Sequence, residues 1–229
     1  MKKRTYIIFF SLVFALSSAY AATIVIPSKQ QTRLPDVPQD LPEVAPLPWP
    51  SEPRPIGNAQ GFTRQFDGFK EILIRFSLPT FDCIIEPFGI WKAIPQGERY
   101  SILLKSADSS VTFGVSQFRK GEFLTSLKDE DWVRYTHFLK TANPHLQIKF
   151  ETSNLDSNDG LYVLGEKYRE IVYETVIPKK EPILVQEIFA FVNDQLTVFT
   201  VKGKKSDVLR KKGATHAMIC RMNYPEEES

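Results

Sequence analysis

The chain has 229 residues, with 29 Lys and Arg against 27 Asp and Glu, and its calculated pI is near 8.4. Three of the basic residues are Lys2, Lys3 and Arg4 at the extreme N-terminus; setting them aside leaves 26 against 27, a net charge of −1. The apparent basicity therefore gives no reason to infer binding to nucleic acid, which needs a positive field over the folded surface.

Lys2-Lys3-Arg4 is followed by an apolar run from Tyr6 to Leu16 and by Ala19-Tyr20-Ala21. This is the pattern of a secretory signal peptide over residues 1–21. The run falls well short of the ~20 residues that span a bilayer, so the expectation is cleavage and no membrane span afterwards. The protein is then expected in the periplasm or the medium.

Pro27 to Pro55 holds nine of the sixteen prolines. Proline lacks a backbone N–H and fixes φ, so residues 22–56 read as an extended, polyproline-like linker that stands outside the folded unit. Trp49 within it is a candidate anchor for an aromatic-lined groove. From Gly57 to Ser229 the basic and acidic residues balance at 23 each. That length suits a single domain.

Phe69–Ser77 and Phe81–Ile85 read as strands. Arg99–Lys105 and Val111–Phe118 flank a polar Ser-Ala-Asp-Ser-Ser cluster and form a second strand pair. In the latter strand Thr112, Gly114 and Ser116 share a face, which predicts a solvated side of the sheet there.

Asp129-Glu130-Asp131 precedes Trp132, Tyr135, Leu139 and Ala142 at helical spacing, with acids at the positive end of the dipole and Asn143-Pro144 as a stop. Leu146–Thr152 alternates as a strand. The Asn154–Gly160 stretch is superficially similar to a calcium loop: with Gly160 sixth, Asp159 and Ser157 fall at five and three, but Leu155 stands where the first ligand belongs, so a hairpin loop is expected.

The densest β-branched and aromatic run lies between Tyr162 and Val201. Glu166–Ile177 alternates, Pro178 and Pro182 bracket a turn, and Ile183–Val192 and Gln195–Val201 flank Asn193-Asp194. Both of those residues tolerate left-handed backbone, which predicts a two-residue hairpin pairing Phe191 with Leu196 and Phe189 with Val198. Both faces are apolar, so the hairpin should be central in an antiparallel meander.

Lys202–Lys212 is basic, and Ser206 and Gly213 suggest the two ends of a short helix. Residues 214–224 fit either a helix or a strand.

No nucleophile elbow, phosphate loop, dinucleotide fingerprint or zinc-protease motif occurs in the chain. His137, His145 and His216 lack partners at metal-ligand spacing, and no cofactor is expected. Cys83 and Cys220 are the only cysteines. In an oxidising compartment they allow one disulfide, and two buried thiols are the competing reading.

Strand pairs, a Trp-bearing helix and a meander ending in EIFAFVNDQLTVFTVKGKK together resemble the PsbP/Mog1/DcrB-like family over roughly Phe81–Tyr224. The resemblance implies an α/β/α sandwich acting as an accessory or interaction domain. These readings predict an α+β fold: an antiparallel sheet packed by one or two helices. They also predict a non-enzymatic role with an unknown protein partner in the cell envelope. A small-ligand carrier, or an enzyme with a dispersed site such as Cys83 and a histidine, are the alternatives.

Overall fold

A computed structural model describes residues 47–66, 69–87, 89–153, 155, 163–176, 178–220 and 222–224. The first strands are β1 (Asn58–Phe66), β2 (Phe69–Ser77), β3 (Asp82–Ile85) and β4 (Trp91–Ala93). Next come β5 (Ile102–Ser106), β6 (Val111–Gln117) and the helix α1 (Asp129–Ala142). The chain continues through β7 (Leu146–Ser153), β8 (Tyr168–Thr175), β9 (Ile183–Val192) and β10 (Gln195–Lys204), and ends in α2 (Lys205–Cys220). The fold is α+β and its sheets are antiparallel: a three-stranded sheet in the order β1-β2-β3, and a seven-stranded sheet in the order β4-β5-β6-β10-β9-β8-β7.

The β9–β10 hairpin sits inside the larger sheet because alternate residues are apolar on both faces. Asn193 and Asp194 take φ of 49° and 61°, the left-handed pair that a two-residue turn requires. The register opposes Phe191 to Leu196, Phe189 to Val198 and Ile188 to Phe199, as the alternation requires. One face carries Val185, Phe189, Leu196 and Val198 into a core shared with Trp132, Tyr135 and Leu139 of α1. The other carries Leu184, Ile188, Phe199 and Val201 into a second core. That core is closed by Ile74, Phe76, Cys83 and Ile85 of the small sheet and by Val208, Met218 and Ile219 of α2. The seven-stranded sheet is thus the middle layer, with α1 on one side and the small sheet together with α2 on the other. The outer layer that the family resemblance assigned to helix is shared here between a helix and a sheet.

Several expectations change. Residues 47–55 do not stand off as linker: Leu47 and Trp49 pack against the α1-side core, and Arg54 is 3% exposed. Composition reports that this stretch is extended but is silent on whether an extended segment docks. The side of β6 expected to be solvated is closed by residues 99–101. The Tyr100 ring lies over Gly114, where an added Cβ would come within 2.4 Å of it, and Ser116 donates to the Arg99 carbonyl at 2.8 Å. At the C-terminus one helix spans Lys205–Cys220, so Gly213 does not end it. Ser206 lies inside that helix and gives its N–H to Glu181 at 2.9 Å. Buried Val208, Thr215, Met218, Ile219 and, beyond the helix, Met222 recur close to a heptad spacing, which keeps one side facing the core. Ala142, counted in the α1 stripe, is exposed, and buried Thr136 takes a place on that face.

Candidate functional site

Two places on the molecule combine chemistry with access. The first is on the α1 side. Glu187 lies on β9, an interior strand of the large sheet, and is fully buried. Its carboxylate accepts a hydrogen bond from the Tyr135 hydroxyl at 2.5 Å and pairs with the Arg99 guanidinium at 2.9 Å. Tyr173 on β8 also bonds to it. Burial, then the negative charge of Glu187, raises both phenols well above their ordinary range, so they remain protonated donors.

Arg99 extends outward from this acid, and its side chain is 45% exposed. Its guanidinium lies 4.3 Å from the centre of the Trp49 indole. Trp49 in turn meets Phe118 edge-on at 4.9 Å and Phe123 at 5.3 Å. Arg54 lies 4.5 Å over the other contact ring, Phe118, and pairs with Glu122 at 2.6 Å. The chain of contacts runs from the centre of the sheet to the Pro-rich segment. Trp49 and Tyr135 were each singled out in the sequence for other reasons, but Glu187 and Arg99 lie 88 residues apart and no spacing joins them.

The second place is an apolar groove of about 210 Å³ between the two sheets. Ala59, Gly61, Ile72 and Ile74 form one wall, and Pro87, Ile90, Trp91 and Leu104 belong to the other. None of its described lining residues is charged. β1 and β4, the terminal strands of their respective sheets, both contribute to it. On its rim Ile72 and Ile90 are 64% and 68% exposed. Large apolar side chains left in water beside an uncharged groove are the usual mark of a contact surface.

Among the described residues, those flagged in the sequence do not meet in a catalytic arrangement. Cys83 on β3 is a fully buried free thiol. Burial first, and Asp82 second, push its pKa up to about 12, the opposite of an activated thiolate. Cys220 closes α2, and its side chain lies outside the described residues. Asn223, three residues on, exchanges backbone bonds of 2.7 and 3.1 Å with Ile84, so the chain after α2 runs beside β3. His137 and His145 are exposed, on α1 and just after it, and the His216 side chain lies outside the described residues. Most of the 154–160 loop lies there as well. Among the described residues no cluster of three or more His, Cys, Asp or Glu could hold a metal.

The basic run after β10 is tied to acids from other elements. Lys205 and Lys149 pair with Glu174 at 2.9 and 2.6 Å, and Lys211 pairs with Asp108 at 2.7 Å. Asp108 also accepts from Ser106 and Ser110 in the β5–β6 turn. The Lys211 bond, then those serines, hold its carboxyl well below the usual range. No helix among the described residues is long and apolar enough to cross a membrane.

No protein-family model matches the sequence, and no curated protein matches it significantly. Solved structures to which the chain is similar include cyanobacterial PsbP (CyanoP) from Synechocystis sp. PCC 6803, at 12% identity and a TM-score of 0.44, covering 73% of this chain and 92% of that one. LpqN, involved in cell envelope biogenesis of Mycobacterium tuberculosis, is similar at 10% identity and a TM-score of 0.41, with the same coverages. A protein of unknown function from Pseudomonas aeruginosa is similar at 9% identity and a TM-score of 0.37, covering 70% and 94%. A PsbP structure is thus among those the chain is similar to, in line with the resemblance in element order.

Proposed function

We propose that this is an exported accessory domain that acts by binding a protein of the cell envelope, and that the surface around Ile72 and Ile90 is where it does so. The observation that carries this reading is the groove of about 210 Å³, with no charged side chain among its described lining residues, on which Ile72 and Ile90 are left exposed. Apolar contact made there would remove these side chains from water, at about 25 cal/mol for each Å² covered. Export rests on the Lys2–Ala21 signal pattern, and the N-terminal mass of the mature protein checks it.

The binding reading is tested by crosslinking in the native envelope fraction, comparing the wild-type chain with an Ile72→Asp, Ile90→Asp double variant. Partners crosslinked by the wild type and lost from a folded double variant support it. Identical partner sets for both would place the contact elsewhere. A co-purified lipid or metabolite in native mass spectrometry, lost from the double variant, would instead favour the carrier.

Cys83 is unbridged in this structure; its pairing with Cys220 in an oxidising compartment stands as a proposal, motivated by export and by the run of the chain after α2 beside β3. Mass measurement after alkylation, with and without reductant, decides it. Two free thiols in the non-reduced exported protein would end the idea.

A further inference from the structure

The segment Leu47-Pro48-Trp49-Pro50-Ser51-Glu52-Pro53-Arg54-Pro55 packs on the α1-side core, whereas the Ile72–Ile90 groove lies between the two sheets. Four of its nine residues are prolines. A strap of this composition is already extended before it binds, so docking costs little conformational entropy.

Its seat has three parts. At one end the Leu47 N–H is held by the Arg134 carbonyl of α1 at 3.2 Å. In the middle the indole of Trp49 enters a box formed by Phe118, Phe123 and the Arg99 guanidinium. At the far end the Arg54 N–H bonds to the Glu98 carbonyl at 2.9 Å, and its guanidinium is stacked on Phe118 and paired with Glu122. An aromatic box for an indole and an acid for a guanidinium five residues on together recognise an extended peptide by its side chains.

The hold is incomplete. The Arg54 side chain has no solvent exposure, yet its Nε and Nη1 have no hydrogen-bond partner, and neither does the Trp49 Nε1. Each buried donor left unsatisfied opposes closure. The seat therefore fits the strap's side chains while leaving part of their desolvation unrecovered, which is the condition for a strap that can be exchanged.

We propose that this seat is a peptide-binding groove whose resident occupant is the chain's own Leu47–Pro55 strap. The strap is displaced by an extended proline-rich segment of a partner protein that presents an indole and, five residues later, a guanidinium. The domain then has a regulated face: closed when its own strap is seated, open to the partner when it is not.

The test uses the full mature chain and a labelled peptide of sequence LPWPSEPRP, followed by fluorescence anisotropy. A Trp49→Ala chain, whose own strap has lost its anchor, should bind the peptide at least tenfold more tightly than wild type, roughly the effect of removing 1.4 kcal/mol of competition. The same peptide with its tryptophan replaced by alanine should not bind. Equal affinity for the two chains, or no binding to a folded Trp49→Ala chain, overturns the proposal. If that variant fails to fold, Arg54→Gln serves in its place with the same expectations.

An independent reading comes from hydrogen exchange in the wild type. The Leu47 and Arg54 amides should exchange together, on the order of a hundredfold faster than those of Val198 and Phe199 in the central hairpin. Exchange at the core rate would mean that the strap does not open short of unfolding. Purification of the wild-type chain as a strap-exchanged dimer would also overturn the proposal, because a second copy would then be the occupant.

Discussion

The Tyr135 hydroxyl donates to Oε2 of Glu187 at 2.5 Å, joining the buried side of α1 to an interior strand, β9, of the seven-stranded sheet. Removing that hydroxyl should leave a buried carboxylate with one donor fewer. Tyr135→Phe is expected to lower the unfolding free energy by about 1–3 kcal/mol with little change in volume. Urea unfolding with an unchanged m-value checks it, and a loss below about 0.5 kcal/mol would mean that Tyr173 and Arg99 satisfy Glu187 without help.

Residues 47–55 should contribute to stability, against the expectation that the proline-rich stretch is a mere spacer. Trp49→Ala is expected to cost about 2 kcal/mol, the scale of burying one large apolar side chain. For a domain of this size that corresponds to a fall in Tm of about 4–8 °C, measured by scanning calorimetry. An unchanged midpoint would return the segment to the linker.

Cys83 should make the reduced protein sensitive to alkali. Its thiol, ordinarily at 9.0, is raised to about 12 in the fold. The stability this contributes is fully present below pH 9 and is lost as the pH rises toward 12, by up to about 4 kcal/mol. The stability difference between wild type and Cys83→Ala should therefore shrink across that interval in denaturant titrations at pH 8, 9.5 and 11. A difference that stays constant would place the thiol in contact with water.

The hairpin turn admits a backbone test. Asp194 has φ of 61°, where a β-branched side chain is strained. Asp194→Val is expected to destabilise by about 1–2 kcal/mol, and Asp194→Gly to be neutral or better. Equal effects of the two changes in thermal melts would show that the turn does not dictate the register.

What was legible in the sequence follows from which forces leave a periodic trace. The β9–β10 hairpin and α1 are held by burial, and burial repeats every two or every 3.6 residues, so Phe189, Val198, Trp132 and Tyr135 disclosed their faces. β1 left no such trace. Its sequence NAQGFTRQF is mostly exposed, and it is held by pairing with β2 and by the 3.1 Å Arg64–Glu71 pair. Backbone pairing is indifferent to side-chain type, so nothing in the periodicity announced this strand. β4, with three residues, is too short to show a period.

The candidate sites were less legible still. The Arg99–Glu187 pair and the groove between Ile72 and Ile90 are assembled by the fold from distant segments. The strap shows the same gap in another form: proline content specifies an extended backbone, while docking depends on Phe118, Phe123 and Glu122, some seventy residues away.

The order of the large sheet has a consequence for how the chain must be made. Its N-terminal hairpin strands join its C-terminal meander along a single seam, where Val111–Gln117 pairs with Thr197–Gly203. That seam closes a loop of some eighty residues, and such long closures are slow to form. A chain synthesised N-terminus first cannot complete the large sheet until Gly203 has been made, so local hairpins must wait for the last strand before the central layer closes.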